Sequence, residues 1–163
     1  MTNRMMLGLS IALLTACGGT DPEPPAVAHV KACLERSAAM AAADGDDQFL
    51  CAVPIFAVDD IRASLDHYRD VLGFQIAWEW GEPNTTFAAV RRGHVDVYFC
   101  EQCQGAAGTY ISIFVRDVDE VFREYQDRGA KIVRAPRDEE WGLREMWIED
   151  LDGHVLRVGN GTH

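Results

Sequence analysis

Long apolar runs are missing from this chain. None reaches the roughly 18 to 20 residues that a membrane-spanning helix needs, which excludes a transmembrane helix. Positive charge is also scarce. There are 15 Lys and Arg against 26 Asp and Glu, a formal charge of −11. Such a surface repels phosphate backbones, which excludes sequence-independent nucleic-acid binding, and it steers cations inward. Polar low complexity is confined to one short stretch. With 48% hydrophobic residues the chain is too apolar for wholesale disorder. Its 163 residues suit one globular domain with an appendage.

The appendage comes first. Arg4 is the only charge before Cys17, and it precedes the apolar stretch Met5 to Leu14. A charged start followed by a short apolar segment reads as a secretory signal. The sequence Leu14-Thr15-Ala16-Cys17 then resembles a bacterial lipobox. That resemblance implies removal of residues 1–16, lipidation of Cys17 and a mature charge of −12. It places the protein on the periplasmic face of the cell envelope, with Gly18 favouring the outer membrane. Met40 is the alternative start. Residues 18–25, with Pro22, Pro24 and Pro25, read as an extended tether. Ala26 to Ala43 reads as a weakly amphipathic helix, stopped by Asp44-Gly45-Asp46-Asp47. The expected units are thus a signal at 1–16, a tether with a helix at 17–50, and a domain at 51–163.

Within that domain a pattern occurs twice. Val53–Val58 is a β-prone run. Asp60 opens a helix carrying Ile61, Leu65, Tyr68 and Leu72, and Gly73 ends it. Phe74–Trp80, Thr85–Arg91 and His94–Cys100 then read as strands. The second round has a strand at Ile111–Val115, a helix at Asp117–Arg128 stopped by Gly129, and strands at Lys131–Ala135, Leu143–Glu149 and His154–Val158. Val58 and Val115, Ile61 and Val118, Leu65 and Phe122, and Tyr68 and Tyr125 are all 57 residues apart. A constant offset marks two copies of one βαβββ unit, at about 52–103 and 108–160.

The stretches from Val53 to Ile61 and from Ser64 to Phe74 resemble the opening of the vicinal-oxygen-chelate superfamily. That group holds glyoxalase I, extradiol dioxygenases, fosfomycin-resistance proteins and bleomycin-resistance proteins. The ending Trp141-Gly142-Leu143-Arg144-Glu145-Met146-Trp147-Ile148-Glu149-Asp150-Leu151-Asp152-Gly153-His154 resembles the bleomycin-resistance branch. The likeness covers about residues 52–160. It implies an α+β fold in which two tandem βαβββ modules form a curled mixed sheet around a cleft, commonly in a homodimer, here with an N-terminal helical extension.

Enzymes of that superfamily usually hold one divalent metal with His and Glu at cleft-facing strand positions. Carried onto this chain, those positions are Val53, Asp96, Tyr110 and Arg157. Valine has no lone pair, arginine is cationic, and one carboxylate does not hold a catalytic metal. None of the five histidines falls on a ligand position; His154 follows a turn, His67 lies on the outer helix and His94 starts a strand. No metal or other cofactor is therefore expected, and metal-dependent lyase, isomerase or dioxygenase chemistry is the alternative reading.

Strand alternation assigns the cleft lining. It points Val53, Ile55 and Ala57 inward, with His94, Asp96 and Tyr98, then Tyr110, Ser112 and Phe114, then Glu145, Trp147, Val155 and Arg157. Arg157 and Asp96 are expected to pair across the cleft or to meet a charged ligand. The expected ligand-binding residues are Asp96, Tyr98, Tyr110, Phe114, Trp141, Glu145, Trp147 and Arg157. In bleomycin-resistance proteins, flat cationic drug ends stack near the Trp-Gly segment, the place of Trp141 here. Asp138-Glu139-Glu140 reads either as a solvated loop or as an arm that draws in a polyamine tail. Trp78 and Trp80 share parity with Phe74 and Ile76, which reads as core or dimer interface. The expected function is non-catalytic sequestration of an aromatic, cationic small molecule.

Four cysteines remain beyond Cys17: Cys33, Cys51, Cys100 and Cys103. In an exported protein an even number reads as disulfides, with three possible pairings. The preferred pairing is Cys100 with Cys103 and Cys33 with Cys51. Cys100-x-x-Cys103 ends a strand and so lacks the helix N-terminus of a thioredoxin-type motif. A redox role for it stands as a third reading.

Overall fold

The computed structural model describes residues 52–81 and 83–161. The signal, tether, first helix, Cys17, Cys33 and Cys51 lie outside the described residues. Two four-stranded mixed sheets carry two helices, the α+β architecture expected from the repeat. The first module runs β1 (Ile55–Val58), α1 (Ile61–Asp70), β2 (Gln75–Trp80), β3 (Phe87–Arg92) and β4 (Val95–Glu101). The second runs β5 (Tyr110–Phe114), α2 (Val118–Asp127), β6 (Ile132–Asp138), β7 (Leu143–Glu149) and β8 (Val155–Gly161). Strand orders are β1-β4-β3-β2 and β5-β8-β7-β6, the same topology twice. In each sheet the first strand is parallel to the last and the others are antiparallel.

The helices begin alike. The Asp60 carboxylate accepts from Ala63 N–H at 3.0 Å, and that of Asp117 accepts from Asp119 and Glu120 N–H. The next N–H is tied to the far end of the same module's sheet. Ile61 N–H donates to Glu101 at 3.0 Å, and Val118 N–H to Asn160 at 2.9 Å. Both helices stop at a glycine with φ near +70°, Gly73 and Gly129, a conformation that a Cβ disfavours.

One core joins the modules. Phe56, Val58, Val97 and Phe99 meet α1, while Ile113, Met146, Ile148, Leu156 and Val158 meet α2, all in a single buried cluster. The seam between modules is polar. Tyr68 donates to Asp150 at 2.9 Å, and Ser64 donates to Asp152 at 2.9 Å. His154 is fully buried and stacks on Phe56; its Nδ1 accepts from Thr109 N–H, so its Nε2 donates to the Ala57 carbonyl. Arg92 crosses the other way to Glu124, at 2.5 Å, and to the Tyr125 hydroxyl. Burial raises the pKa of the Tyr68 phenol and of the Asp150 carboxyl, and lowers that of the His67 imidazole.

Candidate functional site

Each sheet has one face against its helix and one face turned away, and the outward faces carry the candidate residues. On the first sheet, strand register aligns Ile55, Tyr98, Ala89 and Trp78 in one row. The next row is Ala57, Cys100, Phe87 and Trp80. Trp78, Phe87 and Tyr98 form a ring cluster with centroids 5.1–5.7 Å apart. Trp80, beside Phe87 in register, is exposed. This corrects the parity expected for the two tryptophans. A bulge between Ile76 and Trp78 resets the alternation, so Trp78 and Trp80 leave the helix face and join the outward one. A disulfide joins Cys100 to Cys103 at the edge of this face, with Cα atoms 5.6 Å apart.

On the second sheet one row is Ser112, Arg157, Trp147 and Arg134, and the next is Phe114, Gly159, Glu145 and Arg137. Register alone thus places Trp147 between two arginines. The Arg134 guanidinium lies 4.0 Å from the Trp147 ring centroid and that of Arg157 lies 5.7 Å from it. Glu145, only 3% exposed in its side chain, organises the group. It accepts from Arg157 Nη2 at 2.9 Å on both oxygens, from Arg134 at 2.7 Å and from the Trp147 indole at 3.1 Å. Burial pushes its carboxyl upward, but the Trp147 and Arg157 hydrogen bonds and the arginine charges outweigh that and hold it below the ordinary value. Gly159 makes this approach possible, because a Cβ there would stand 2.9 Å from Glu145 Cβ. Tyr110 meets Trp147 edge-on at 6.3 Å, and Trp141, 57% exposed, lies 6.0 Å from the Arg157 guanidinium.

The expected cleft residues therefore fall into separate places. Tyr98 belongs to the first aromatic face. Tyr110, Trp141, Glu145, Trp147 and Arg157 come together on the second. Phe114, 69% exposed, borders an apolar groove of about 650 Å³ between the β3–β4 turn and the β5–α2 segment. Val53, Asp96 and Ser112 border a second groove of about 510 Å³ at the same seam. Arg157 pairs with Glu145 and Asp96 with Arg91, both within their own sheets, so the cross-cleft Arg157–Asp96 pair is not formed. Glu139 is tied to Arg134 and Arg137 and Asp138 to Arg144, while Glu140 is exposed.

Sequence reading missed Arg134, which β6 bulges bring onto this face, and it missed Arg91. A signal for Arg91 did exist. Arg92 is opposite Val95 across the Gly93-His94 turn, so Arg91 must face Asp96. The resemblance also implies a divalent metal at Val53, Asp96, Tyr110 and Arg157. These residues do not fit one. Valine and arginine offer no lone pair, Arg91 already neutralises Asp96, and Arg157 itself competes as the local cation.

Comparison with known proteins agrees with the fold. The model of the Glyoxalase/Bleomycin resistance protein/Dioxygenase superfamily matches residues 49–158. TioX from Micromonospora sp. ML1 is 26% identical with a TM-score of 0.60, over 67% of this chain and 96% of that one. A bleomycin-binding protein complexed with bleomycin has a TM-score of 0.58 at 22% identity, over 68% and 98% of the two chains, a likeness of fold. The uncharacterized protein YraH of Bacillus subtilis (strain 168) is 25% identical over 115 residues, 62% of this chain and 90% of its own length.

Proposed function

The chain belongs to the glyoxalase/bleomycin resistance/dioxygenase superfamily, and from that premise we propose that it binds a planar aromatic small molecule and holds it without transforming it. The observation that carries this reading is the pair of outward aromatic faces. Trp80, Phe87 and Tyr98 stand on one sheet around the buried Trp78, and Trp147, Trp141 and Tyr110 on the other. Flat rings with few polar groups suit an aromatic guest. A catalytic centre needs a nucleophile, a base or a metal with free valence, and Glu145, the buried carboxylate of the second face, is already taken up by Arg157, Arg134 and the Trp147 indole.

The bleomycin-binding neighbour supports a binding role of this general kind. The aromatic half of the expected ligand rests on these rings. The cationic half rests on the long-range field of a chain carrying −11. A homodimer that sets the first face of one copy against the second face of another completes the proposal. The exposure of Trp80, Tyr110, Phe114 and Trp141 supports it. Anchorage to the envelope through Cys17 is proposed from the lipobox alone.

The test is a tryptophan-fluorescence titration of residues 18–163 with bleomycin in metal-free buffer, followed by recovery of the ligand. Saturable quenching, weakened in Trp141→Ala, with the ligand recovered unchanged, is expected. A chemically altered ligand overturns the non-catalytic reading, and absence of saturation overturns bleomycin as a guest.

A further inference from the structure

The two outward faces are not equally open. On the second, Tyr110 and Phe114 are exposed, and Trp147 stays half-buried although two guanidiniums lie against it. On the first, Trp78 is only 4% exposed. Its neighbours explain part of this difference. Register sets Tyr98 and Trp78 two strands apart, about 9–10 Å, with Ala89 between them. Their rings lean together until the centroids are 5.1 Å apart, which roofs Ala89 and buries it completely. Tyr98 and Phe87 lie beside Trp78, however, and do not roof it. β2 packs on β3 at its side and on α1 behind it. The loop after Cys103 is no nearer, since Gly105 lies against Ile55 and Ala57 of β1, at the far edge of the sheet. A tryptophan on a sheet face that carries no helix needs a cover. This burial is that of a single chain, so the chain supplies the cover itself.

We infer that the segment just upstream of β1 folds back across the first face and lays Phe49 on the Trp78–Tyr98 pair. Described structure begins at Ala52, which with Val53 borders the groove of about 510 Å³ at the start of β1. The residues before it read Asp44-Gly45-Asp46-Asp47-Gln48-Phe49-Leu50-Cys51, and Phe49 is the one ring among them. The leaning rings meet over β3, two strand spacings from β1, about 9–10 Å. Three residues of chain reach about 10 Å, which is the distance from Ala52 to Phe49. Asp44, Asp46 and Asp47 stay in water, because burying a carboxylate without a partner is costly. One consequence rests on the proposed binding role. Phe49 holds the place of an aromatic guest, and a guest must displace it to reach Trp78. Phe49 is tied to the sheet by a few residues, so its effective concentration there is high. A guest that offers one ring gains little over it, and one that also engages the exposed Trp80 prevails.

The test is hydroxyl-radical footprinting of residues 18–163, read residue by residue. In the unaltered chain Trp78 is expected to be protected and Trp80 labelled. Phe49→Asp, which cannot lay a charge on the rings, is expected to raise the labelling of Trp78 severalfold. Tyr68, fully buried in the core, stays protected and reports an intact fold. If Tyr68 becomes labelled, Phe49→Ser replaces the Asp variant under the same criteria. Phe49→Leu, which keeps an apolar cover, is expected to retain most of the protection. A Trp78 that is labelled as readily as Trp80 in the unaltered chain, or that stays protected in Phe49→Asp, overturns the docking. Displacement is read separately, by fluorescence titration with bleomycin in metal-free buffer. Phe49→Ala is expected to bind it about 10-fold tighter, the scale of one apolar side chain buried in part. Equal affinities overturn the displacement. Saturation in neither chain overturns the binding role and the displacement with it, while the footprint, which needs no guest, still decides the docking.

Discussion

Glu145 is a buried carboxylate surrounded by donors it did not bring with it: two guanidiniums from neighbouring strands and an indole from its own. Removing its charge strands those donors. Glu145→Gln is expected to cost about 2 kcal/mol near neutral pH, less than a fully buried ion pair because water reaches Arg157. Denaturant unfolding measures it. Its pH dependence has a definite sign. A carboxyl held below its unfolded value stabilises the fold above about pH 4.3 and loses that contribution as pH falls through the lower folded value. The stability gap between wild type and Glu145→Gln should therefore close in acid. A gap that widened there would mean the carboxyl is not held ionised by its neighbours. At this scale the sequence was only half legible. Alternation placed Glu145, Trp147 and Arg157 on one face, because a period of two survives any register. It did not say which charge meets which, because pairing depends on lateral register between strands far apart in the chain.

Elements were more readable, and their failures are physical. The Asp caps and the terminal glycines marked both helices, since those residue types satisfy backbone groups that nothing else nearby can. The bulge at Ala77 was invisible because Trp78 and Trp80 are at home on either face of a strand. The sequence pattern carries no cost for moving them. Gly159 was likewise silent, yet it is the position where β7 and β8 come too close for a side chain. Gly159→Ala is expected to destabilise by about 1–3 kcal/mol through overpacking against Glu145, and to loosen the Arg157–Glu145 pair. Melting temperature reads the first effect. The second should appear as a change in near-ultraviolet circular dichroism from Trp147, and an unchanged spectrum would leave the close approach without a role.

Across the whole molecule the two modules share one core and exchange polar contacts, so they are expected to melt together. Tyr68→Phe leaves the Asp150 carboxylate short of a donor and should lower the single midpoint, at about 1–3 kcal/mol. Tyr125→Phe removes a weaker contact and should lower it less. Two resolved transitions in either variant would show that the modules fold independently. The repeat at 57 residues gave this architecture in outline, because duplicated hydrophobic spacing specifies duplicated elements.

The two tyrosines occupy equivalent places in the repeat, and each reaches across the seam to the other module's last hairpin, Tyr68 to Asp150 and Tyr125 to Arg92. Two identical half-length chains paired in this way would make one such contact twice, with identical partners. Two different modules on a single chain have no such obligation. One phenol donates its hydrogen bond to a carboxylate and the other accepts one from a guanidinium, a division of labour that a symmetric pair of short chains has no means to encode.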